Sequence, residues 1–442
     1  MNFKIHRGTQ EIGGSCVEVW THATRIVIDI GMPLMHPDGS EFDISTFQPL
    51  TKENLLNKGV LPNIPGLYKS AKKPVDGVLI SHYHKDHYGL GEYVSDNIKF
   101  YLGKATHQIL EINNLFTSQN LELKNHQWFA HEKSFNIGDI QITPFLTDHS
   151  AFDAYAFLIE APFGSAQGAK SKRIFYSGDF RGHGAKHKLF KWFTYHPPKH
   201  IDYLLMEGTT LGRKDTTQKT EEELGQELTG LFRQKDRINL VYCSGQNIDR
   251  IVRVYCACVQ AGKTLVVDVY VAHILKVLSE HAGIPYPSKE FVNVRVMFPW
   301  ALSDRLIKGG NENVVYQFTK YKITRDEIGK NPADYVLIVR PSLLRDLKKI
   351  RGMENGNFIY SLWKGYLNKP GSTKDFVEYF TNHGFTLHHL HTSGHADLPT
   401  LKRMVSAIKP KVLIPIHTLN GSDYKNHFDV QVRELSDGEI VN

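Results

Sequence analysis

The sequence predicts an α/β protein that carries a separate parallel-sheet domain, and three observations support that reading. A length of 442 residues is too great for one ordinary core and implies two domains or three. From about Gly208 to about Gly371 strand-like and helix-like segments alternate, the rhythm of a parallel sheet with helical crossovers. On both sides of that stretch, apolar runs end one after another on an acidic residue or a histidine, as happens when several strands deliver side chains to one sheet edge.

The chain opens with the alternating run Phe3-Lys4-Ile5-His6, reaches Gly13-Gly14-Ser15, and alternates again over Val17-Glu18-Val19-Trp20. A third run, Thr24 to Gly31, places Asp29 at its far end, so three short strands make an antiparallel start. Taken alone, Asp29 reads equally well as a turn former before Gly31. The polar segment from Pro33 to Lys73 holds five prolines, and loops of that length are uncommon unless they serve as lids or binding loops. Its place ahead of the next motif would let it wall a site.

Val75 to Ile80 is a short apolar run with the look of a buried strand, and it leads into Ser81-His82-Tyr83-His84-Lys85-Asp86-His87. Neutral imidazoles and carboxylates are the ligands Zn²⁺ prefers, and this H-x-H-x-D-H loop offers four of them within six residues. One loop can therefore serve two adjacent metals. A single histidine is more often a surface or core residue, and only the set in register points to metal.

Further strands repeat the delivery. Ile140 to Thr147 is followed by Asp148-His149-Ser150, Arg173 to Tyr176 by Asp179, and Ile201 to Met206 by Glu207. After Glu207 come a helix over 220–233, a strand Ile238 to Tyr242, a helix Asn247 to Gln260, a strand Thr264 to Val269 and a strand Tyr335 to Val339. Near the end, the alternating run Phe385 to His391 leads to Thr392-Ser393-Gly394-His395-Ala396-Asp397, a helix follows through Ile408, and the strand Val412 to Ile416 ends at His417.

Hydrophobic content of 41% with 22% charged residues is that of a soluble globular protein. A net charge of +7 with a pI near 8.9 hints at a polyanionic partner. Cys16, Cys243, Cys256 and Cys258 lack paired spacing and read as free thiols in a reducing cytoplasm. No signal sequence is evident and no apolar run approaches the ~20 residues of a membrane span. The expectation is a soluble cytoplasmic protein with no membrane partner.

His82-x-His84-x-Asp86-His87, then His149, Asp179 and a late His417, with Asp29 ahead, resembles the metallo-β-lactamase superfamily. Glu207, an α/β stretch and then Ser393-Gly394-His395-Ala396 resemble its β-CASP nuclease branch, nearest to ribonuclease J through Glu11-Ile12-Gly13, Asn247-Ile248-x-Arg250 and His391-x-Ser393-Gly394-His395-Ala396. The resemblance implies an αβ/βα sandwich with an inserted α/β domain: residues 1–207 and 372–442 form the metallo-β-lactamase domain and 208–371 the insert. It implies two zinc ions, the first held by His82, His84 and His149, the second by Asp86, His87 and His417, with Asp179 bridging. Asp29 and Glu207 would orient ligands, His395 would assist the leaving group or stabilise the phosphorane, and Ser393, Gly394 and His391 would hold a substrate phosphate. Histidine at 417, where DNA-directed relatives tend to have valine, favours single-stranded RNA over DNA.

The resemblance has departures. Thr418-Leu419 stand where the family commonly has Gly-Glu, and the 25 residues after His417 do not supply the further domain usual in ribonuclease J, so homo-oligomer formation stays open. Two other readings remain at this level. A small-molecule metallohydrolase of the lactonase or thioesterase kind would use the same ligands but leave the insert and Ser393-Gly394-His395 without a purpose. A catalytically silent RNA-binding subunit would leave the filled ligand positions unexplained. Lys348, Lys349, Arg351, and Trp363 with Tyr366 fit a solvated face and ordinary packing as well as a nucleic-acid contact, so they are not counted as site residues.

Overall fold

Asn2–Arg7 alternates buried and partly buried residues at its start, Cys16–Trp20 and Arg25–Ile28 are buried over nearly their whole length, and the three pair antiparallel. The computed structural model describes residues 1–36, 39–68, 74–117, 119–161, 172–213 and 217–442. Gly77–Leu79, Phe100–Gly103 and His126–Phe129 extend this first sheet in parallel, and Ile440–Val441 closes its other edge beside Asn2–Arg7.

A second seven-stranded sheet runs in the order Gln431–Val432, Val412–Ile416, Tyr203–Glu207, Arg173–Tyr176, Tyr155–Glu160, Ile140–Leu146, Phe135–Ile137. The two sheets face each other across one apolar layer in which Ile5, Val17, Ile26, Ile28 and Leu79 meet Ile142, Phe157, Ile159, Leu205 and Ile414. Helices cover the outer faces. His187–Tyr195 and Leu398–Ile408 lay Phe190, Phe193, Leu401 and Met404 on Phe175, Leu204 and Leu413 of the second sheet, and Lys104–Phe116 covers the first with Ile109 and Leu110. This is the αβ/βα sandwich.

The third sheet is wholly parallel, in the order Val294–Met297, Thr264–Asp268, Tyr335–Val339, Asn239–Tyr242, Asn357–Tyr360, Thr386–His389. Its inner strands Thr264–Asp268, Tyr335–Val339, Asn239–Tyr242 and Asn357–Tyr360 are buried almost throughout and read as largely apolar runs. Thr220 and Glu223 form a reciprocal capping box at the start of Glu221–Phe232, and Asn247 caps Ile248–Gln260. The chain leaves this sheet after His389, not at 372: Ser372–Thr381 packs under it and Thr386–His389 is its edge strand. An edge strand alternates in the same way in any sheet, so the run at 385–391 did not reveal which sheet it joins.

The expected polar loop from Pro33 to Lys73 is more ordered than its composition implied, although 37–38 and 69–73 lie outside the described residues. Lys52–Asn57 is helical, capped by Thr51, and Leu55, Val60, Leu61, Ile64 and Leu67 are buried in the apolar cluster that also takes in Ile109, Ile251 and Leu265. The segment is therefore anchored on the core by its scattered apolar residues.

Buried charges join the two domains. Arg181, with no solvent exposure, lies against Asp148, Glu221 and Asp249, and Arg250 donates to Glu221 from Nε at 3.1 Å. Burial opposes ionisation of Glu221, but Arg250 and Arg181 outweigh it and hold its pKa down to about 2, against 4.5 for an ordinary glutamate. A depressed folded-state value contributes stability that is complete above the ordinary pKa and lost as pH falls toward about 2. Glu221→Gln is expected to cost about 3 kcal/mol at pH 7, since Arg250 loses its buried carboxylate and Arg181 one of three. Urea midpoints should show the gap to wild type narrowing below pH about 4.5; a gap independent of pH would contradict this role.

Candidate metal centre

The strand Gly77–Leu79 ends just before Ser81, and the chain then turns into the single helical turn Lys85–Tyr88 with His84 at its N-cap position. The expected loop thus contains one turn of helix, which sends Asp86 and His87 to a different side from His82 and His84. Backbone bonds fix that turn: Ile30 N donates to His87 O, Met32 N to Lys85 O and Ser15 N to Asp86 O. A Cβ on Gly31 would lie 1.8 Å from Asp86 O, so only glycine allows this approach.

His82, His84 and His149 form one donor group, with ring nitrogens all within 4.8 Å of one another. His149 Nδ1 donates to Gly394 O at 2.5 Å, which leaves Nε2 as a lone-pair donor 3.2 Å from His84 Nδ1. His82 pairs through Nδ1 with Ser81 Oγ at 3.1 Å, and its Nε2 is buried without a hydrogen-bond partner. A buried orphan nitrogen aimed at two other imidazoles is costly unless a cation completes it. Burial lowers all three pKa values, that of His84 to about 4, so the rings are neutral and fit to ligate.

Asp86, His87, Asp179 and His417 form the second group. His87 Nδ1 donates to Asp29 Oδ2 at 2.7 Å and turns Nε2 to 3.1 Å from Asp179 Oδ2. His417 pairs through Nδ1 with Thr209 Oγ1 at 2.8 Å and through Nε2 with Asp86 Oδ2 at 3.3 Å. Burial opposes ionisation of Asp179, but His417, His87 and His395 hold it well below the usual carboxylate range. Asp179 also reaches the first group, with Oδ2 3.8 Å from His82 Nε2. The two groups therefore abut through one carboxylate.

Asp29 sits at the end of its strand in the left-handed region, φ 58°, which aspartate tolerates better than most residues. Its Oδ1 accepts from Ser81 N, and its Oδ2 from Ser81 Oγ, His87 Nδ1 and Tyr176 Oη. An amide placed there would turn NH₂ against donors. Asp29→Asn is expected to weaken metal binding about 10- to 100-fold, read by competition with a chromogenic chelator, with the fold retained by circular dichroism. Unchanged affinity would remove Asp29 from the support of the site.

Glu207 and His395 converge with Asp179 and His417 in a third grouping that the sequence did not suggest. Glu207 Oε1 accepts from Phe180 N and Ala396 N, and Oε2 accepts from Thr209 N and lies 3.3 Å from His395 Nδ1. Nδ1 of His395 makes no hydrogen bond of good geometry, and the side chain keeps 21% of its surface open, so this ring faces the mouth of the site.

The three residues expected to hold a phosphate are used differently. Ser393 donates its amide to Gln218 and accepts on its carbonyl from Arg181 Nη1 and His183 Nε2, while its hydroxyl accepts from His395 N. Gly394 gives its carbonyl to His149. His391 is held neutral, its pKa lowered to about 3 by burial and by Arg250. These bonds brace the site from within. Ser81, Tyr176 and Thr209 were missed, although Ser81 and Thr209 stand within two residues of His82 and Glu207.

With this geometry in place, comparison with known proteins is informative. The beta-lactamase superfamily domain matches residues 53–220, and the Zn-dependent metallo-hydrolase RNA specificity domain matches residues 385–427. Ribonuclease J of Helicobacter pylori strain ATCC 700392 / 26695 is 24% identical over 425 residues, covering 93% of this chain and 55% of that protein. Ribonuclease J of strain J99 is 24% identical over 54% of its length. The chain thus spans about half the length of the curated relatives it matches. A crystal structure of a protein of unknown function from Enterococcus faecalis V583 superposes with a TM-score of 0.75 at 22% identity, over 100% of this chain and 99% of that one.

Proposed function

We propose that this member of the metallo-β-lactamase superfamily, with a β-CASP domain inserted in it, is a two-zinc ribonuclease that hydrolyses phosphodiester bonds of single-stranded RNA. The observation that carries this reading is the pair of donor groups abutting through Asp179, with the partly exposed His395 beside them. His82, His84 and His149 would hold one zinc ion, and Asp86, His87 and His417 the other, with Asp179 between them. When bound, two such ions make a water nucleophilic near neutral pH and neutralise charge on the oxygens of an in-line displacement at phosphorus.

The chain's own residues do the rest. Asp29, Thr209 and the Gly394 carbonyl hold His87, His417 and His149 so that the opposite ring nitrogens face inward. Glu207 positions His395, which gives a proton to the departing oxygen or balances charge on the phosphorane. The RNA specificity match at 385–427 includes both His395 and His417, and the net charge of +7 suits a polyanion. Among the described residues no helix is long and apolar enough to cross a membrane.

The test is incubation of zinc-loaded protein with single-stranded RNA and matched DNA, each bearing 5′-monophosphate or 5′-hydroxyl. Cleavage of RNA is expected. Mononucleotides released only from 5′-monophosphate RNA mark trimming from the 5′ end, and discrete internal fragments mark endonuclease action. Turnover of a thioester or lactone with neither polymer cut would overturn the proposal.

A further inference from the structure

Arg213 lies six residues beyond Glu207, on the loop leaving a strand of the first domain, and Trp363 and Tyr366 lie in the turn after Asn357–Tyr360 of the insert. The three meet where that loop reaches the third sheet. The Arg213 guanidinium carbon is 5.4 Å from the Trp363 ring centre, and the Trp363 and Tyr366 rings are 5.4 Å apart at 86°.

The arrangement is built, not incidental. Tyr360 Oη donates to Trp363 O at 3.0 Å, and a Cβ on Gly365 would come within 2.2 Å of the indole, so glycine is what lets the ring fold over its own turn. Lys369 Nζ donates to Gly39 O at 2.7 Å and ties the same turn to the first domain. Such bracing removes the motion that would blur a binding surface.

Two features point to a ligand. Trp363 and Tyr366 keep 43% and 52% of their surface exposed although they are large aromatic side chains. Tyr366 also lies near Asp86 of the metal centre: burial, then the carboxylates of Asp86 and Glu41, raise the pKa of its phenol against the opposing effect of Arg213. The Arg213 guanidinium, partly buried, makes no ion pair and no hydrogen bond among the described residues; it has the indole and, at longer range, Glu207 and the Tyr366 phenol. Buried arginines are ordinarily paired, so a cation left without a partner beside exposed aromatics fits an anionic, planar ligand.

We infer that Arg213, Trp363 and Tyr366 form a nucleotide-gripping subsite beside the metal centre, in which Tyr366, backed by Trp363, stacks a base of single-stranded RNA and Arg213 binds the adjoining phosphate. This rests on the ribonuclease reading above. Stacking needs an unpaired base, so the subsite selects single strands; the guanidinium takes a phosphate whatever the sequence.

The experiment compares zinc-loaded wild type with Arg213→Ala, Tyr366→Ala and Tyr366→Phe, measuring steady-state cleavage of single-stranded RNA and binding of a phosphorothioate single strand and of an RNA duplex. Tyr366→Ala is expected to raise KM and weaken single-strand binding about tenfold or more, with kcat within about twofold and duplex binding unchanged. Tyr366→Phe should restore binding, because the ring and not the hydroxyl does the stacking. Arg213→Ala should raise KM and flatten its salt dependence. Wild type that cleaves RNA while both alanine variants keep its KM would overturn the subsite and leave the ribonuclease reading intact. Wild type that neither binds nor cleaves RNA would overturn both.

Discussion

Asp179→Ala is expected to leave the protein folded and to reduce hydrolysis about 10³-fold or more, because one carboxylate serves both donor groups. Asp179 Oδ2 lies 3.1 Å from His87 Nε2, 3.8 Å from His82 Nε2 and 3.5 Å from His395 Nδ1, and Oδ1 is 3.8 Å from His417 Nδ1. Its loss removes the negative charge on which a cation in either group would lean. The measurement separates metal loss from unfolding. Wild type with zinc at 100 times its dissociation constant gains about 2.7 kcal/mol over the chelated form, seen as a higher melting temperature. The alanine variant should show the same circular dichroism, little zinc and almost no such shift. Retained zinc with full activity would contradict the bridging role.

His395→Ala should separate the two functions, with zinc content kept and turnover lowered about 10²- to 10⁴-fold. His395 belongs to neither of the two three-histidine or mixed donor sets that account for the ligands, and Glu207 holds it at 3.3 Å from outside them. Its ring is also more accessible than those of His82, His87 and His417, at 21% exposure against 2% or less. The loss should be smallest for RNA analogues with a good leaving group, since such a group needs no proton. Loss of zinc in this variant, or full activity without the imidazole, would remove His395 from the chemistry.

Local pattern made much of the fold and the donor set legible. The parallel sheet showed as apolar runs between capped helices, Tyr335–Val339 and Glu221–Phe232 among them, because propensity and capping act over a few residues. His82, His84, Asp86 and His87 stood out because a ligand loop packs several donors into one short stretch, and His149, Asp179, Glu207 and His417 because each follows a strand. The return from the insert was not legible, since Thr386–His389 has the alternation of any edge strand and only its pairing with Asn357–Tyr360 assigns it. The bonds that Ser393 and Gly394 make within the protein were not legible either, because a backbone amide or carbonyl carries no mark in the sequence of what it will bond.

By itself, then, the sequence determined which side chains could hold a metal and which segments become strands and helices, as both depend on residue type and short spacing. Tertiary structure alone decided which donors share a group, that Asp179 lies between the groups, and that Asp29 (itself bonded by Tyr176), Thr209 and the Gly394 carbonyl hold the imidazole rings. It also decided that Arg213 meets Trp363, 150 positions further along the chain. The partners in these contacts are far apart along the chain, as with His149 and Gly394, separated by 245 positions. Contacts at such separations arise from how sheets stack and domains close, which no local periodicity encodes.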